Sequence, residues 1–327
     1  MSTEHPLSRR DLLKTAALGI GGAALSGTAA EAAAQGGVTR LVAQPAHEKL
    51  VITLSPSGAG SLLPQRGPRD VRAHAAEALE GINAGAAIVH LRGASKNVAQ
   101  KPHQNLINLP DMEDWRQLTE AVRSKSSVII NYGASAMTPD VRKQLITTLK
   151  PDAGSFLVGH HYGGLTLLPD IQKQFAVDHL AAGVLPEVEV FHTGDVANFN
   201  DLVAQGLLKP PYCVTVFLDY SRYYKVPATV QQLEAMVALL PPNTHWTICV
   251  RGPKHLEMAA IAITMGGHVR TGLENDVELS PGRPAKTQGE CVERIVQLAR
   301  SLGREIATIA EARQQLALPR KPEIVKS

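Results

Sequence analysis

Long apolar segments, basic clusters and paired cysteines are all scarce in this chain, and each scarcity removes a class of protein. Aromatic residues make up 4% of the 327 positions, and 33 Lys and Arg against 30 Asp and Glu leave a formal charge of +3. With no basic run and few rings on which bases can stack, nucleic-acid binding has no support. The three cysteines, Cys213, Cys249 and Cys291, include no C-x-x-C pair, and an odd count permits one disulfide at most. Cys213 and Cys249 lie inside apolar, β-like runs, where buried and inert thiols are expected. Nothing reads as an interdomain linker or an internal repeat. The glycines of Ser57-Gly58-Ala59-Gly60 and of Gly266-Gly267 match no phosphate-loop pattern, so ordinary tight turns are expected there.

What is present begins at the N-terminus. Ser8-Arg9-Arg10-Asp11-Leu12-Leu13-Lys14 precedes a weakly apolar, small-residue stretch from Thr15 to Ala29, and Ala30-Glu31-Ala32-Ala33-Ala34-Gln35 ends it in A-x-A style. A paired arginine, a mild apolar middle and such an end read as a twin-arginine export signal over residues 1–34, removed on maturation. Gly19, Gly21, Gly22, Ser26 and Gly27 dilute the run well below the roughly 20 apolar residues a stable membrane anchor needs. A periplasmic or secreted protein follows, with the twin-arginine translocase as its partner during export. Arg9, Arg10 and Lys14 leave with Glu4, Asp11 and Glu31, so the mature charge stays at +3.

Beyond a leader at 35–48 the chain alternates short β-branched runs with longer helix-period segments. Strands are expected at Leu50 to Leu54, Ala87 to Leu91, Ser127 to Tyr132, Gly154 to Val158, Glu187 to Phe191, Tyr212 to Leu218, His245 to Val250 and His268 to Gly272. Helices are expected near Asp70 to Asn83, Met112 to Ser124, Pro139 to Leu149, Asp170 to Ala182, Ala197 to Gln205, Thr229 to Leu239, His255 to Met265 and Lys286 to Ser301. Pro139, Pro169 and Pro227 stand near helix starts, where a missing N–H costs least. Eight β-then-α units in about 250 residues predict a closed (β/α)8 TIM barrel, with an open doubly wound sheet as the other arrangement. Functional groups of such a barrel lie just past the C-terminal ends of the strands.

Taken in order, those ends carry Ser55, Ser57 and Gly58; His90 and Arg92; Asn131 and Ser135; His160 and His161; His192, Thr193 and Asp195; Asp219; Arg251; and Glu274, Asn275 and Asp276. Imidazoles and a carboxylate on convergent strand ends suit Zn2+ or another divalent ion, which takes three or four N and O ligands. Each histidine taken alone suits a strand-capping or loop-bonding role better, since only a constellation identifies a metal centre. His90 and Arg92, two apart on a strand, share a face. Arg92 can then grip a carboxylate through its planar fork, or pair with Glu274 or Asp276 with no ligand involved.

Several blocks resemble a known family. Gly85-Ala86-Ala87-Ile88-Val89-His90-Leu91, Gly206-Leu207-Leu208-Lys209-Pro210-Pro211, Met265-Gly266-Gly267-His268-Val269-Arg270-Thr271-Gly272-Leu273-Glu274 and the tail from Gly303 to Ala312 are similar to the β-keto acid cleavage enzymes of the 3-keto-5-aminohexanoate cleavage type. The likeness covers 49–318 and leaves 319–327 as a tail. It implies a single-domain (β/α)8 barrel, retro-Claisen acyl exchange between a β-keto acid and acetyl-CoA, and a divalent metal, usually zinc, that polarises the keto group. It also implies metal ligands from an H-x-H motif on the second strand and a glutamate after the eighth. His90 matches the first histidine and Glu274 the glutamate; Arg92 stands where the second histidine belongs. Pro253 takes the place of a catalytic arginine after strand seven, with Arg251 and Lys254 close by. Asn275 replaces an acid, with Asp276 one further on. Ser135 matches the serine after strand three. The family's D-T-G-H order is exchanged in His192-Thr193-Gly194-Asp195, and His160 and His161 occupy a loop position more often small and hydroxylated.

Three functional readings follow. In the first, an exported metalloenzyme acts on a small oxo- or keto acid with water in place of coenzyme A, which export leaves behind. His90, Glu274 and either His192 or His160 bind Zn2+ or another divalent metal. Arg92 holds the substrate carboxylate, Asp195 or Asp276 is the general base, and Ser135 and Arg251 complete the catalytic set. The step is hydrolytic C–C cleavage, aldol-type cleavage or decarboxylation. In the second, Arg92 replaces the metal, and the protein binds small carboxylates or is an inactive relative. The third is the family's acetyl-CoA reaction, performed before export. The histidines at strands four and five favour the first. A homo-oligomer is left open by the family's habit of assembling.

Overall fold

The computed structural model describes residues 48–56, 71–92, 112–133, 138–159, 167–220, 225–275 and 277–319. The chain divides into compact units at 1–40 and 41–327, and the first of these, with the expected export signal, lies outside the described residues. Eight parallel strands run as β1 (Ile52–Leu54), β2 (Ile88–Leu91), β3 (Ile129–Tyr132), β4 (Ala153–Leu157), β5 (Leu185–Val190), β6 (Tyr212–Leu218), β7 (Thr244–Val250) and β8 (His268–Thr271). They lie side by side in chain order, and β8 pairs with β1 through Thr53 opposite Arg270 and Leu54 opposite Thr271. That pairing closes the barrel and rules out the open sheet.

Between the strands stand α1 (Val71–Asn83), α2 (Met112–Arg123), α3 (Pro139–Leu149), α4 (Pro169–Ala182), α5 (Thr193–Ala204), α6 (Val230–Val237) and α7 (His255–Thr264). A small hairpin, β9 (Glu278–Ser280) and β10 (Arg283–Pro284), leads into α8 (Gln288–Ser301) and a final helix α9 (Ile309–Gln315). Pro139 and Pro169 open their helices, where the absent N–H has no intrahelical partner to lose. Thr287 with Glu290 and Thr308 with Glu311 form capping boxes that satisfy the first amides of α8 and α9. The start of α5 differs from expectation by four residues, at Thr193 rather than Ala197. Thr193-Gly194-Asp195 reads locally as a turn, but the Asp195 carboxylate accepts the Phe191 amide at 2.8 Å and holds that first turn in place.

Strand residues alternate between two environments, as the pleat requires. Leu54, Val89, Ile130, Phe156, Val188, Val216, Ile248 and Val269 belong to the large apolar cluster shared with the helices. Their neighbours are polar and bond across the barrel. Asn131 of β3 donates to Glu187 of β5, Thr215 of β6 donates to the same carboxylate, and Ser155 of β4 donates to Glu189 at 2.8 Å. A bond from β3 to β5 skips a strand, so these side chains fill the barrel interior.

The N-terminal end is closed by the chain's last elements. Leu50 bridges to Ile306, and Ala307, Ala312 and Leu316 pack on Val51, Ile88, Ile129 and Cys213. Arg313, buried, lies 3.1 Å from Asp152 Oδ1 and donates to the carbonyls of Ser127 and Val128 at 3.0 and 3.2 Å. The other Asp152 oxygen accepts the Ile130 amide at 3.0 Å, which ties α9 to β3 and β4 through one carboxylate. Arg313→Met removes the nearer of two guanidiniums on Asp152, Arg123 lying 3.9 Å from its other oxygen, and is expected to lower the unfolding free energy by about 2 kcal/mol. Urea denaturation reads this as a lower midpoint at unchanged slope; a loss below about 1 kcal/mol would show that the pair contributes no more than a surface contact.

Candidate active site at the barrel mouth

The C-terminal mouth is organised around Glu274, in the 3-10 turn Leu273–Asn275 that follows β8. Gly272, at φ +138°, lets the chain turn there; a Cβ on it would lie 2.2 Å from the Ser55 carbonyl oxygen. The close approach brings Ser55, just past β1, against Glu274. Its hydroxyl donates to Oε2, which Arg270 Nη2 also reaches at 3.2 Å. Oε1 takes Arg92 Nη2 at 2.9 Å and the Tyr220 hydroxyl at 3.2 Å. Burial opposes ionisation of this carboxyl, but the charge of Arg92, then that of Arg270, holds it down at about 2. Glu274 is therefore a carboxylate with both oxygens occupied by donors.

Arg270 is completely buried. Its guanidinium carbon lies 5.4 Å from the ring centre of Phe217, which Phe191 stacks at 4.6 Å. Among the described residues its Nε and Nη1 have no acceptor. His90 is also buried, and a Cβ on Gly133 would come within 2.2 Å of its Nε2, so glycine leaves room for the imidazole. Its Nδ1 stands 3.7 Å from Glu187 Oε2, beyond hydrogen-bond reach. Burial and then Arg270 lower its pKa to about 4, against the pull of Glu187, and the ring is neutral at pH 7.

Two carboxyls of β5 complete the interior, and they differ. Glu187, bonded by Asn131 and Thr215 and facing His90, is held below the ordinary carboxylate range despite its burial. Glu189 is pushed up to about 7 by burial and then by the charge of Glu187, with Arg270, the Ser155 hydroxyl and Arg92 opposing the rise. Ionisation is thus favoured at Glu187 and opposed at Glu189. Cys249 and Cys213 are free thiols that burial pushes up, Cys249 to about 12, which agrees with inert cysteines.

Of the residues singled out from sequence, the fold brings Arg92 and Glu274 into contact, with His90 near them in the barrel interior. His192 and Asp195 are together elsewhere, at the start of α5, with Nε2 3.5 Å from Oδ1. Arg251 is half-buried just past β7. Ser135, His160 and Asp276 lie outside the described residues. Sequence reasoning missed Arg270, Glu187 and Glu189 because it looked beyond the strand ends. The available signal was a charge inside a short, otherwise apolar strand, at the alternate positions that face the interior.

A divalent ion held by two imidazoles and a carboxylate, as the resemblance implies, does not fit these residues. Arg92 fills the second imidazole's place and its guanidinium sits on Glu274. An ion bonded to that carboxylate would stand within about 4 Å of a guanidinium, at a repulsion on the order of 4 kcal/mol per pair of unit charges. His90, His192 and Glu274 do not gather their ligand atoms within 4.8 Å of one another; among the described residues only Glu48, His245 and His268 do so. That group lies at the opposite, N-terminal end. The His245 and His268 rings are stacked at 3.6 Å and 10°, so their in-plane lone pairs run side by side instead of converging. Nδ1 of His268 accepts the Val51 amide at 2.9 Å, which puts the ring proton on Nε2, and the charge of Arg304 acts on both rings. Metal binding there requires a ring to turn and the Val51 bond to break.

A closed barrel with guanidiniums, carboxyls and a neutral imidazole gathered at one mouth has the architecture of a (β/α)8 enzyme scaffold. The chain belongs to the beta-keto acid cleavage enzyme family, which it matches over residues 49–318. It is 35% identical over 281 residues to a 3-keto-5-aminohexanoate cleavage enzyme of Fusobacterium nucleatum, covering 83% of this chain and 98% of that one. It is 29% identical to the enzyme of the same name from Acetoanaerobium sticklandii, across 83% of this chain and 99% of the relative. A 3-dehydrocarnitine:acetyl-CoA trimethylamine transferase of Rhizobium meliloti shares 24% identity over 84% of this chain and 98% of its own. The apo structure of ObcA superposes with a TM-score of 0.58 at 19% identity, over 77% of this chain and 65% of that one, a likeness of fold.

The contrast within β5 has a measurable consequence. A carboxyl whose folded pKa is raised keeps its proton while the unfolded group ionises, so it lowers stability as pH rises from the ordinary carboxylate range through about 7. Glu189→Gln removes that slope. Its stability relative to wild type is expected to rise between pH 5 and pH 8 in parallel urea titrations; a constant difference across that range would mean that Glu189 ionises normally.

Proposed function

We propose that this chain is an exported enzyme that binds a small β-keto acid at the barrel mouth and breaks the bond between its keto carbon and its α-carbon, with water as acyl acceptor. The observation that carries this reading is the pair of guanidiniums, Arg92 and Arg270, on Glu274, in a barrel interior that also buries Glu189 against the Ser155 hydroxyl at 2.8 Å, where burial raises its pKa. Membership of a keto-acid cleaving family supplies the reaction class.

In this mechanism Arg92, half-buried, holds the substrate carboxylate. As the oxygen of a water bonds to the keto carbon, Glu189 takes its proton and the carbonyl electron pair moves to oxygen. The resulting oxyanion is met by Arg270, whose Nε and Nη1 lack any other acceptor among the described residues. When the carbonyl re-forms, the C–C bond breaks and its electron pair passes to the α-carbon. That carbon takes the proton from Glu189. The hydroxyl of one water ends on the acyl product and its proton on the new methyl or methylene, so a keto acid and water become two carboxylic acids.

Water as acceptor follows from the Arg9-Arg10 segment, which directs the folded protein away from cytosolic acetyl-CoA. A second reading, acyl exchange with acetyl-CoA in the cytosolic precursor, is favoured by relatives whose names include acetyl-CoA, such as the Rhizobium meliloti transferase. Acetoacetate in 18O-labelled water separates the two. Mature protein is expected to release acetate carrying the label, with no change on adding acetyl-CoA. Release that requires acetyl-CoA would replace the water reading by the second, and binding without turnover in either case would reduce the protein to a carboxylate binder. Glu189→Gln is expected to lower kcat by about 100-fold with little change in KM. Replacing Arg9 and Arg10 together by lysine is expected to leave full-length precursor in the cytoplasm on cell fractionation; unimpaired export of that variant would remove the twin-arginine assignment.

A further inference from the structure

We propose that Arg92 has taken the place of the metal ion in this chain, so that the mouth holds a small keto acid between two guanidiniums, its carboxylate on Arg92 and its keto oxygen on Arg270, while His90 and Glu274 no longer accept a divalent cation. The inference rests on the mouth being the substrate site, but not on the choice of acyl acceptor.

Three observations lead there. First, both Glu274 oxygens are engaged: Oε1 by Arg92 at 2.9 Å and Tyr220 at 3.2 Å, Oε2 by Arg270 at 3.2 Å and by Ser55. A zinc ion bonds to a carboxylate at about 2 Å and would have to expel a guanidinium from a buried position. Second, among the described residues His90 belongs to no group of three ligand atoms close enough to share an ion. A lone neutral nitrogen does not hold zinc, which takes at least three protein ligands. Third, the unpartnered groups here include the two free N–H groups of a guanidinium, beside the nitrogens of His90 and the Oδ1 of Asn131. Arg270, completely buried against Phe217, has two N–H groups with no acceptor among the described residues. Unsatisfied donors in a buried site call for a keto oxygen or oxyanion, and a carboxylate matches the planar fork of Arg92. The nearby acids do not undo this: Glu187 is already engaged by Asn131 and Thr215, and Glu189 by Ser155.

The test measures metal and ligand separately, on mature protein isolated from the periplasm. Zinc is read by elemental mass spectrometry and by competition with a chromophoric chelator, and acetoacetate binding by titration calorimetry with and without EDTA. Wild type is expected to hold no zinc that depends on His90 and to bind acetoacetate equally well in EDTA. Arg92→His is expected to gain one zinc equivalent, lost again when His90→Ala is added. Arg92→Lys keeps the charge without the fork and is expected to weaken acetoacetate binding about tenfold with no gain of zinc. Zinc that survives His90→Ala and disappears in His245→Ala belongs to the N-terminal group and leaves the mouth as proposed. Near-stoichiometric zinc in wild type that is lost in His90→Ala overturns the proposal, as does acetoacetate binding weakened tenfold or more by EDTA. Both of those readings come from wild type or a second variant, so a misfolded Arg92→His does not decide the matter. EDTA-insensitive binding without turnover would sink the cleavage reading while leaving this one standing.

Discussion

One buried carboxylate shared between two guanidiniums sets the form of the barrel mouth. Glu274 is reached from β1 by Ser55, from the end of β2 by Arg92, from beyond β6 by Tyr220 and from β8 by Arg270. Each of these groups would be costly to bury alone, and none can leave without exposing the others to that cost. The turn that admits Glu274 depends on Gly272, because any side chain there would collide with the Ser55 backbone. Local backbone geometry, the seam between first and last strands and the charge of the site are thus one arrangement.

The two ends of the barrel differ in what they bury. At the N-terminal end Arg313 ties the last helix to Asp152, and the stacked His245 and His268 are kept neutral by burial. These contacts close the barrel and leave its lower end packed. At the other end the interior side chains are ionisable: Glu187 ionised, Glu189 with its ionisation opposed by burial, Arg270 with donors to spare. The family's scaffold is kept whole over residues 49–318 while the mouth departs from the ligand set the resemblance implies. A scaffold that packs its outer face against helices tolerates such a change, because interior polar residues contribute little to that apolar layer.

Strand and helix positions were legible because the outer face of every strand had to be apolar and each helix had to bury a stripe. The misjudged start of α5 shows the limit of that reasoning, since Thr193-Gly194-Asp195 forms a helical turn only when the Asp195 carboxylate caps the Phe191 amide. The site was half legible. His90, Arg92 and Glu274 could be picked out by position and resemblance, whereas Arg270, Glu187 and Glu189 sit within strands, where pattern reading counts a polar residue as an exposed one. In a closed barrel the alternate face is interior, and the same residues become the site.

The sequence by itself determined the eightfold β/α rhythm, the family and the presence of arginine where a second histidine belongs, because these are matters of residue identity and spacing. Only the tertiary structure decided what that arginine does. Arg92 and Glu274 lie at opposite ends of the chain's barrel segment, and it is the closure of β8 onto β1 that sets their charges 2.9 Å apart in a place water does not screen.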